Sequence, residues 1–301
     1  MDIGVIGVGA MGKNHARIYS ELKSVSSLYI FDLNTAAATE LGRRYDATVC
    51  AGLDEMLRRV DAVSVCVPTR FHASVASDVL GHGVAMLLEK PICSTAEQSR
   101  ELLAEIPEDL TVGVGHIERF NPIVGEIQKI MRDPLYVEFK RHNPASGRIT
   151  DASVVEDLMI HDIDIMRNVL FDGDYALSSV GTTDVCSALF TFDGTPVYLS
   201  ASRKSSKKIR SVYIEQEDMT IEGDFMTQEV YVHRKPEQYA SEDERYVQEN
   251  IIEKVLVNKV EPLKVELATF LDCAKQHKPF PITPDQAATN LAICEAIIQS
   301  F

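Results

Sequence analysis

The chain has no excess of basic residues and no closely spaced cysteine pair. Its formal net charge of −15 argues against nucleic acid as the main partner, because phosphates are neutralised by a basic surface. The six cysteines are scattered, and none lies in a C-x-x-C motif. We therefore expect no disulfide framework, no metal site and a reducing compartment.

Long apolar runs are also missing, and none reaches the roughly 18 residues that a membrane span requires. The N-terminal stretch has no basic leader and its apolar residues are interrupted by glycine, so we expect no signal peptide, no membrane association and a cytoplasmic location. Internal repeats and low-complexity segments are absent. At 301 residues, of which 45% are hydrophobic, the chain has the length of two globular domains.

The N-terminal segment predicts a dinucleotide-binding strand, turn and helix. An apolar stretch at 2–7 and an amphipathic one at 13–22 enclose a G-x-G-x-x-G turn. In this motif the first glycine permits the tight turn, the second leaves room for a pyrophosphate, and the third allows close helix packing. The phosphates then face a helix N-terminus, which favours an anion. The cofactor-binding residues predicted here are Gly7, Gly9, Ala10, Met11 and Gly12.

Asp32 ends a second apolar stretch at 27–31 and lies 20 residues after Gly12. A carboxylate at this position accepts hydrogen bonds from the adenosine ribose hydroxyls and repels a 2′-phosphate, so the pattern favours NAD over NADP. Arg43 and Arg44 point to the alternative, because a basic side chain that folds back would tolerate NADP.

Strands and helices alternate through residues 1–118. Further strands are predicted at 47–50, 62–67, 85–88 and 111–115, with helices at 52–59, 71–81 and 95–105. The stretch at 62–67 is apolar throughout, as in a parallel sheet that is covered on both faces. This order predicts an α/β class protein with a Rossmann domain, a doubly wound parallel sheet, at 1–118.

The pattern changes after His116. Strand character and hairpin signals recur at 135–142, 177–192, 197–203, 208–217, 219–223 and 229–232. Residues 119–301 are therefore expected to form an α+β domain with a mostly antiparallel open sheet. Helices are predicted at 262–276 and 284–299. The apolar positions of the second helix follow helical spacing, so we expect it to pack back on the first domain.

Two turns that follow apolar strands carry further candidates, because ligands of open α/β sheets bind beyond the carboxyl ends of the strands. After the strand at 62–67, the residues expected to contact the cofactor are Val67, Pro68, Thr69 and His72. The alternative for Thr69 is the N-cap of the next helix.

The sequence Glu89-Lys90-Pro91 follows the strand at 85–88. Lys90 would point into the cleft, where it could bind a substrate hydroxyl and stabilise a developing alkoxide. Glu89 and Lys90 are also predicted to contact the cofactor. A solvent-exposed surface lysine is the alternative.

Residues 154–170 predict a largely apolar helix with one polar stripe, formed by Asp157, His161, Asp164 and Asn168. A polar stripe on a buried helix needs a wet cleft or dedicated partners. His161 suits general acid–base chemistry, and Asp157, one turn earlier, could orient its imidazole. The alternatives are a solvated face and a metal site, although no second histidine stands at metal-ligand spacing.

Basic and amide side chains precede this helix in the sequence. Because the chain carries a net charge of −15, an anionic substrate must be met by a local cluster of such groups. Surface ion pairs are the alternative for each arginine. The substrate-binding candidates are Lys90, Arg119, Asn121, Arg141, Arg148, Asp157 and His161.

Three motifs together resemble the Gfo/Idh/MocA oxidoreductases: the glycine turn at 7–12, Glu89-Lys90-Pro91, and Asp157-x-x-x-His161 with Asp164. The resemblance spans nearly the whole chain. It implies a Rossmann domain followed by a domain whose open sheet often forms the oligomer interface, and hence a homodimer or homotetramer. It also implies that Lys90, Asp157 and His161 match the family's catalytic lysine, aspartate and histidine.

The same resemblance implies an NAD-dependent dehydrogenase that acts on a CH–OH group. Segments 115–122 and 161–166 are most similar to members that oxidise nucleotide sugars, so the expected substrate is a sugar or nucleotide sugar, such as UDP-N-acetylglucosamine oxidised at C3. The alternatives are an inositol or another sugar or cyclitol and, from a different class, a non-catalytic NAD-binding regulator. Intact Lys90, Asp157 and His161 argue against the regulator, since a sensor needs no proton-transfer groups.

Overall fold

A computed structural model describes residues 1–144, 152–235, 239–242, 245–248 and 251–301. The chain divides into two compact units. The first contains Met1–Phe120 and Glu261–Glu295, and the second contains Asn121–Val260 and Ala296–Phe301. Among the described residues, no helix combines the length and the apolar character that crossing a membrane demands.

The first unit is built from alternating strands and helices. In chain order these are β1 (Asp2–Ile6), α1 (Ala10–Glu21), β2 (Ser27–Phe31), α2 (Thr35–Tyr45), β3 (Thr48–Val49), α3 (Leu53–Leu57), β4 (Ala62–Val65), α4 (His72–Gly81), β5 (Ala85–Glu89), α5 (Ala96–Glu105) and β6 (Val112–Gly115). The six strands are all parallel, in the order β3-β2-β1-β4-β5-β6. Both β4 and β5 are buried along their whole length, which explains why their sequences are apolar without alternation.

The register of this sheet determines which residues emerge together at its carboxyl edge. Ile6, the last residue of β1, pairs with Phe31 of β2 and with Val65 of β4. Val65 pairs in turn with Leu88 of β5. The residues that follow these four positions therefore lie side by side at one edge: Gly7, Asp32, Cys66 and Glu89.

The second unit is built mostly from antiparallel strands. Its elements are α6 (Pro122–Ile130), β7 (Tyr136–His142), α7 (Ile160–Ile165), β8 (Ala176–Gly181), β9 (Val185–Phe192), β10 (Thr195–Ser202), β11 (Ile209–Glu215), β12 (Met219–Asp224), β13 (Glu229–Arg234), β14 (Tyr239–Glu242), β15 (Arg245–Gln248) and β16 (Ile251–Lys254). The main sheet has eight strands in the order β16-β13-β12-β11-β7-β10-β9-β8, and among its pairs β7–β10 is parallel. Buried side chains alternate with more accessible ones along β7, β9, β12 and β13, so one face of the sheet carries a hydrophobic core.

Two C-terminal helices, α8 (Pro262–Gln276) and α9 (Pro284–Ile298), complete the description. Leu267 and Phe270 of α8 and Leu291 of α9 belong to the hydrophobic core of the first unit. The side chain of Glu295, near the end of α9, accepts a hydrogen bond of 2.8 Å from the Ala96 backbone at the start of α5.

Several elements differ from the sequence-based predictions. The strand predicted at 177–192 is broken into β8 and β9, because the Thr182 hydroxyl accepts hydrogen bonds from the Asp184 and Val185 backbones and closes a turn. Helices α2 and α6 were not predicted, although both begin with a typical start signal. Asn34 caps α2, and Asn121 caps α6 directly before Pro122. The helix predicted at 154–170 is α-helical only over α7, with π-helical turns at Val155–Met159 and Met166–Leu170.

Candidate active site

The turn after β1 has the geometry that the glycine motif predicts. Gly7 has a φ of +87°, in the region that favours glycine, and its backbone N–H donates to the Phe31 carbonyl at 2.8 Å. A Cβ at Gly12 would overlap the carbonyl oxygen of Gly7. A Cβ at Gly9, by contrast, would meet no described atom within 4 Å. The motif therefore leaves open space at the N-terminus of α1, where a pyrophosphate fits.

Asp32 is fixed beside this turn by two backbone donors. The N–H of Val8 donates to its Oδ2 at 2.6 Å, and the N–H of Asn34 donates to its Oδ1 at 2.7 Å. Arg43 and Arg44 lie in the last turn of α2, roughly 14 Å along the helix from Asn34 at ~1.5 Å per residue. This separation favours the prediction that Asp32 binds the adenosine ribose of NAD over the alternative that Arg43 or Arg44 folds back and accepts NADP.

His72 links the turns that follow β4 and β5. Its buried ring places Nδ1 2.8 Å from the Pro91 carbonyl oxygen and Nε2 3.0 Å from that of Val67. Burial lowers the pKa of His72, and the hydrogen bonds to these carbonyls offset only part of this effect. A neutral imidazole has one N–H and donates to one carbonyl at a time. The capping alternative for Thr69 is wrong, because the N-cap of α4 is Phe71, without a side-chain hydrogen bond.

Glu89 and Lys90 occupy the end of β5 and the residue after it. The Glu89 carboxylate is buried, with Oε1 2.9 Å from Nε2 of His15 and Oε2 accepting from the Lys90 backbone N–H at 3.3 Å. Burial alone would raise the pKa of Glu89, but the hydrogen bond and charge of His15 and the charge of Lys90 outweigh it and lower that pKa below its usual value. The Lys90 side chain is half-buried at the carboxyl edge, and the Lys90–Pro91 peptide bond is cis.

Cys66 joins His15 and Glu89 in a buried cluster that the sequence did not suggest. The potential ligand atoms of the three side chains lie within 4.8 Å of one another. The 2.9 Å between His15 and Glu89 is a hydrogen-bond distance, shorter than the ~3.3 Å between two ligands of a tetrahedral zinc ion. Burial raises the pKa of the Cys66 thiol well above its usual value, and Glu89 adds to this effect. The cluster is therefore a hydrogen-bonded pair beside a neutral thiol.

The predicted catalytic helix carries its polar stripe in a mostly apolar segment. Asp157, His161 and Asn168 are half-buried, whereas Asp164 is buried. The Asn168 amide donates to Asp164 at 3.1 Å, so two members of the stripe are brought together. The π-helical turns on both sides of α7 depart from regular α-helical spacing, a feature that is frequent at functional sites.

Arg141 on β7 forms a buried ion pair that sequence reasoning missed. Its guanidinium contacts the carboxylate of Asp162 with Nε at 3.0 Å and Nη2 at 2.6 Å from Oδ1. The residues are 1% and 2% exposed, and the guanidinium lies 5.4 Å from the centre of the Phe225 ring. A carboxylate between the apolar residues of α7 was the available signal of a buried cationic partner. The predicted role of Arg141 toward substrate remains a prediction.

Two other substrate candidates also have intramolecular partners. Arg119 donates to the Gln286 side chain at 2.8 Å. Asn121 caps α6 and donates to the Phe225 carbonyl at 2.9 Å. Arg148 lies outside the described residues. A role in substrate binding remains a prediction for all three.

Comparison with known proteins agrees with this geometry. Residues 1–116 match the Gfo/Idh/MocA family, which is described as "Oxidoreductase family, NAD-binding Rossmann fold". Residues 1–116 therefore belong to the NAD-binding Rossmann fold of the Gfo/Idh/MocA oxidoreductases. Together with the parallel sheet, the glycine turn and the dehydrogenases named below, this match confirms the predicted fold class, the NAD cofactor and the dehydrogenase class of enzyme.

Named relatives cover different shares of the chain. A UDP-N-acetylglucosamine 3-dehydrogenase from Acidithiobacillus ferrooxidans is 29% identical over 293 residues, covering 93% of this chain and 90% of that protein. A solved structure of that enzyme from the same organism has a TM-score of 0.88 at 27% identity, over 100% of this chain and 97% of the other. An inositol 2-dehydrogenase from Paracoccus denitrificans is 30% identical over 187 residues, 58% of this chain and 55% of the relative.

Proposed function

We propose that this protein oxidises one secondary hydroxyl of a sugar, with NAD as the electron acceptor. The proposal rests on the register of the parallel sheet. This register brings the glycine turn, Asp32 and the end of β5, which Lys90 follows directly, to one edge. In open α/β sheets this edge is where ligands bind. A cofactor site and a cationic side chain suited to an alkoxide are therefore parts of the same edge.

The first unit offers a site that fits NAD. The open space at Gly9 and the N-terminus of α1 match the pyrophosphate. The fixed carboxylate of Asp32 matches the adenosine ribose. Bound NAD would supply the acceptor for the two electrons and the hydrogen that leave the carbinol carbon. The remaining predicted contacts of Val67, Pro68, Thr69, His72, Glu89 and Lys90 belong to this proposal.

Within this proposal, Lys90 and His161 have different roles. The Lys90 ammonium donates to the substrate hydroxyl oxygen and stabilises the negative charge that develops there. His161 accepts the hydroxyl proton as general base, since imidazole titrates near neutrality. Asp157 holds the imidazole and stabilises its protonated form. The half-buried positions of Asp157 and His161 in an apolar helix support these roles.

The substrate is proposed to be a nucleotide sugar, such as UDP-N-acetylglucosamine oxidised at C3. The relative named for that reaction aligns with 93% of this chain, which supports this choice. A neutral inositol or free sugar is the second candidate. It is favoured by the intramolecular contacts of Arg119 and Arg141, which engage two of the arginines proposed to bind a diphosphate.

The test is a screen of the purified protein for NADH formation with nucleotide sugars, free sugars and inositols. We expect a UDP-sugar to be the best substrate. In the same assay, His161→Ala should lower turnover by roughly 10²–10⁴ with nearly unchanged NAD affinity, because a general base is lost. Wild-type turnover in His161→Ala would remove this residue from the mechanism. NAD binding without turnover on any substrate would favour the non-catalytic regulator.

The assembly and location are also part of the proposal. Neighbouring strands align Leu189, Tyr198, Glu138 and Tyr213 on the sheet face opposite the hydrophobic core, and all four are half-buried or exposed. A row of large side chains on an accessible face supports a homodimer or homotetramer through the open sheet. Leu189→Asp should lower the mass measured by light scattering, and an unchanged mass would count against this interface. A reducing, cytoplasmic location is also proposed, because the six cysteines are scattered through the sequence without a C-x-x-C motif.

A further inference from the structure

His15 is a buried titratable residue that the proposed mechanism does not use. It lies on α1, three residues after Gly12, and its side chain is 0% exposed. Its Nε2 is 2.9 Å from Oε1 of Glu89, while Nδ1 has no hydrogen-bond partner within the described part of the chain. An ionised carboxylate can only accept hydrogen bonds, so Nε2 carries the proton and donates it. This contact fixes the orientation of the Glu89 carboxylate.

Glu89 passes this constraint to the residue that follows it. Its second oxygen accepts from the backbone N–H of Lys90 at 3.3 Å. One carboxylate thus connects the helix that begins at the phosphate-binding turn with the backbone of Lys90. On the far side of the same turn, the Pro91 carbonyl contacts His72. The backbone on which Lys90 stands is therefore held from both ends by buried side chains.

We propose that His15 is a positioning residue, which holds Lys90 in place relative to the phosphate-binding turn through Glu89. The inference rests on the proposed function, because it assumes that Lys90 acts on the substrate. His15 itself is fully buried behind the sheet edge and donates to Glu89, so its effect reaches the substrate through Lys90.

Removing the His15 donor leaves a buried carboxylate without its charge-assisted hydrogen bond. The carboxylate then takes up a proton or rotates, and either change weakens its hold on the Lys90 backbone. A small displacement of a catalytic group costs up to roughly 100-fold in rate. We therefore expect His15→Leu to lower kcat by roughly 10- to 100-fold with NAD affinity changed much less.

The experiment compares three full-length variants in the NADH assay, with NAD affinity from calorimetry and the thermal midpoint as further readouts. His15→Leu fills the site without a donor, whereas the His15→Gln amide can occupy the place of Nε2 and still donate. The matched control is Tyr19→Phe, which removes a buried hydrogen bond of 2.7 Å between the same helix and Ser64. We expect His15→Gln to restore most of the kcat lost in His15→Leu, and Tyr19→Phe to lower the thermal midpoint with kcat unchanged.

Several results would overturn the inference. The first is a wild-type kcat in folded His15→Leu. The second is a loss of kcat in His15→Gln or in Tyr19→Phe that equals the loss in His15→Leu. The third is stoichiometric zinc in the wild-type protein that is absent from His15→Gln. If His15→Leu does not fold, His15→Asn replaces it, because its amide is one carbon too short to reach Glu89. Lys90→Ala distinguishes failure of the proposed function from failure of the positioning role. Unchanged turnover in Lys90→Ala refutes the proposed function. Impaired turnover in Lys90→Ala together with wild-type turnover in His15→Leu refutes only the positioning role.

Discussion

The buried pair of Arg141 and Asp162 allows a prediction about stability. Both side chains are almost completely removed from water, at 1% and 3% exposure, and are joined by contacts of 2.6–3.1 Å. Removing one partner takes the carboxylate–guanidinium contact away from a charge that stays buried, which typically costs ~3–5 kcal/mol. Asp162→Ala and Arg141→Met should each show a loss of this size. The double variant should lose much less than the sum, because both desolvation penalties disappear.

The size of the expected effect makes it measurable by thermal unfolding. The second unit has the size at which 1 kcal/mol shifts the midpoint by roughly 2–4 °C, so each single variant should melt roughly 6–20 °C lower. Circular dichroism and tyrosine fluorescence are suitable probes, since the chain has 10 tyrosines and no tryptophan. A double-mutant cycle then isolates the coupling energy. Single losses below about 1 kcal/mol, or strictly additive losses, would refute the account of a desolvated, mutually dependent pair.

Three further predictions follow from the first unit and from the substrate. NAD should bind more tightly than NADP, and Asp32→Ala should narrow the difference in calorimetry; equal wild-type affinities would contradict this. Burial lowers the folded-state pKa of His72 below 6.5, so the unfolded chain takes up a proton first and stability should fall on acidification below about pH 6.5. The thermal midpoint of His72→Gln should depend less on pH, and an unchanged slope would rule His72 out as the cause. Arg148→Ala should raise KM for a UDP-sugar by roughly 10- to 150-fold without affecting NAD binding; a silent variant with faster turnover of neutral polyols would favour the second candidate.

Local signals were sufficient to predict the nucleotide-binding half of the protein. Each glycine of the turn has a local reason for its place, namely the positive φ of Gly7, the open space at Gly9 and the close approach at Gly12. The strand before Asp32 is apolar over residues 28–31. Since parallel strands share one carboxyl edge, the grouping of these residues with Lys90 followed from the order of elements alone.

The contacts that hold the site residues in place could not be predicted in the same way. His15 and Glu89 are 74 positions apart, and Arg141 and Asp162 are 21 apart. Neither pair has a fixed spacing that marks it, because the partners meet only when helices pack on a sheet. The sequence therefore identified Arg141 as a cation but not its carboxylate partner. The split of 177–192 into β8 and β9 depends likewise on a side-chain turn at Thr182, within an otherwise continuous strand pattern.

The division of the first unit into Met1–Phe120 and Glu261–Glu295 has a consequence for synthesis on the ribosome. The core of the nucleotide-binding unit includes Leu267 and Phe270 of α8, which are made only after the intervening segment at 121–260. At roughly 5–20 residues per second, this segment delays completion of that core by about 7–28 s. During that interval the apolar surface that α8 later covers is exposed, so the nascent chain is a natural client for chaperones at this stage. The enzyme thus makes its cofactor-binding residues first and completes their support late.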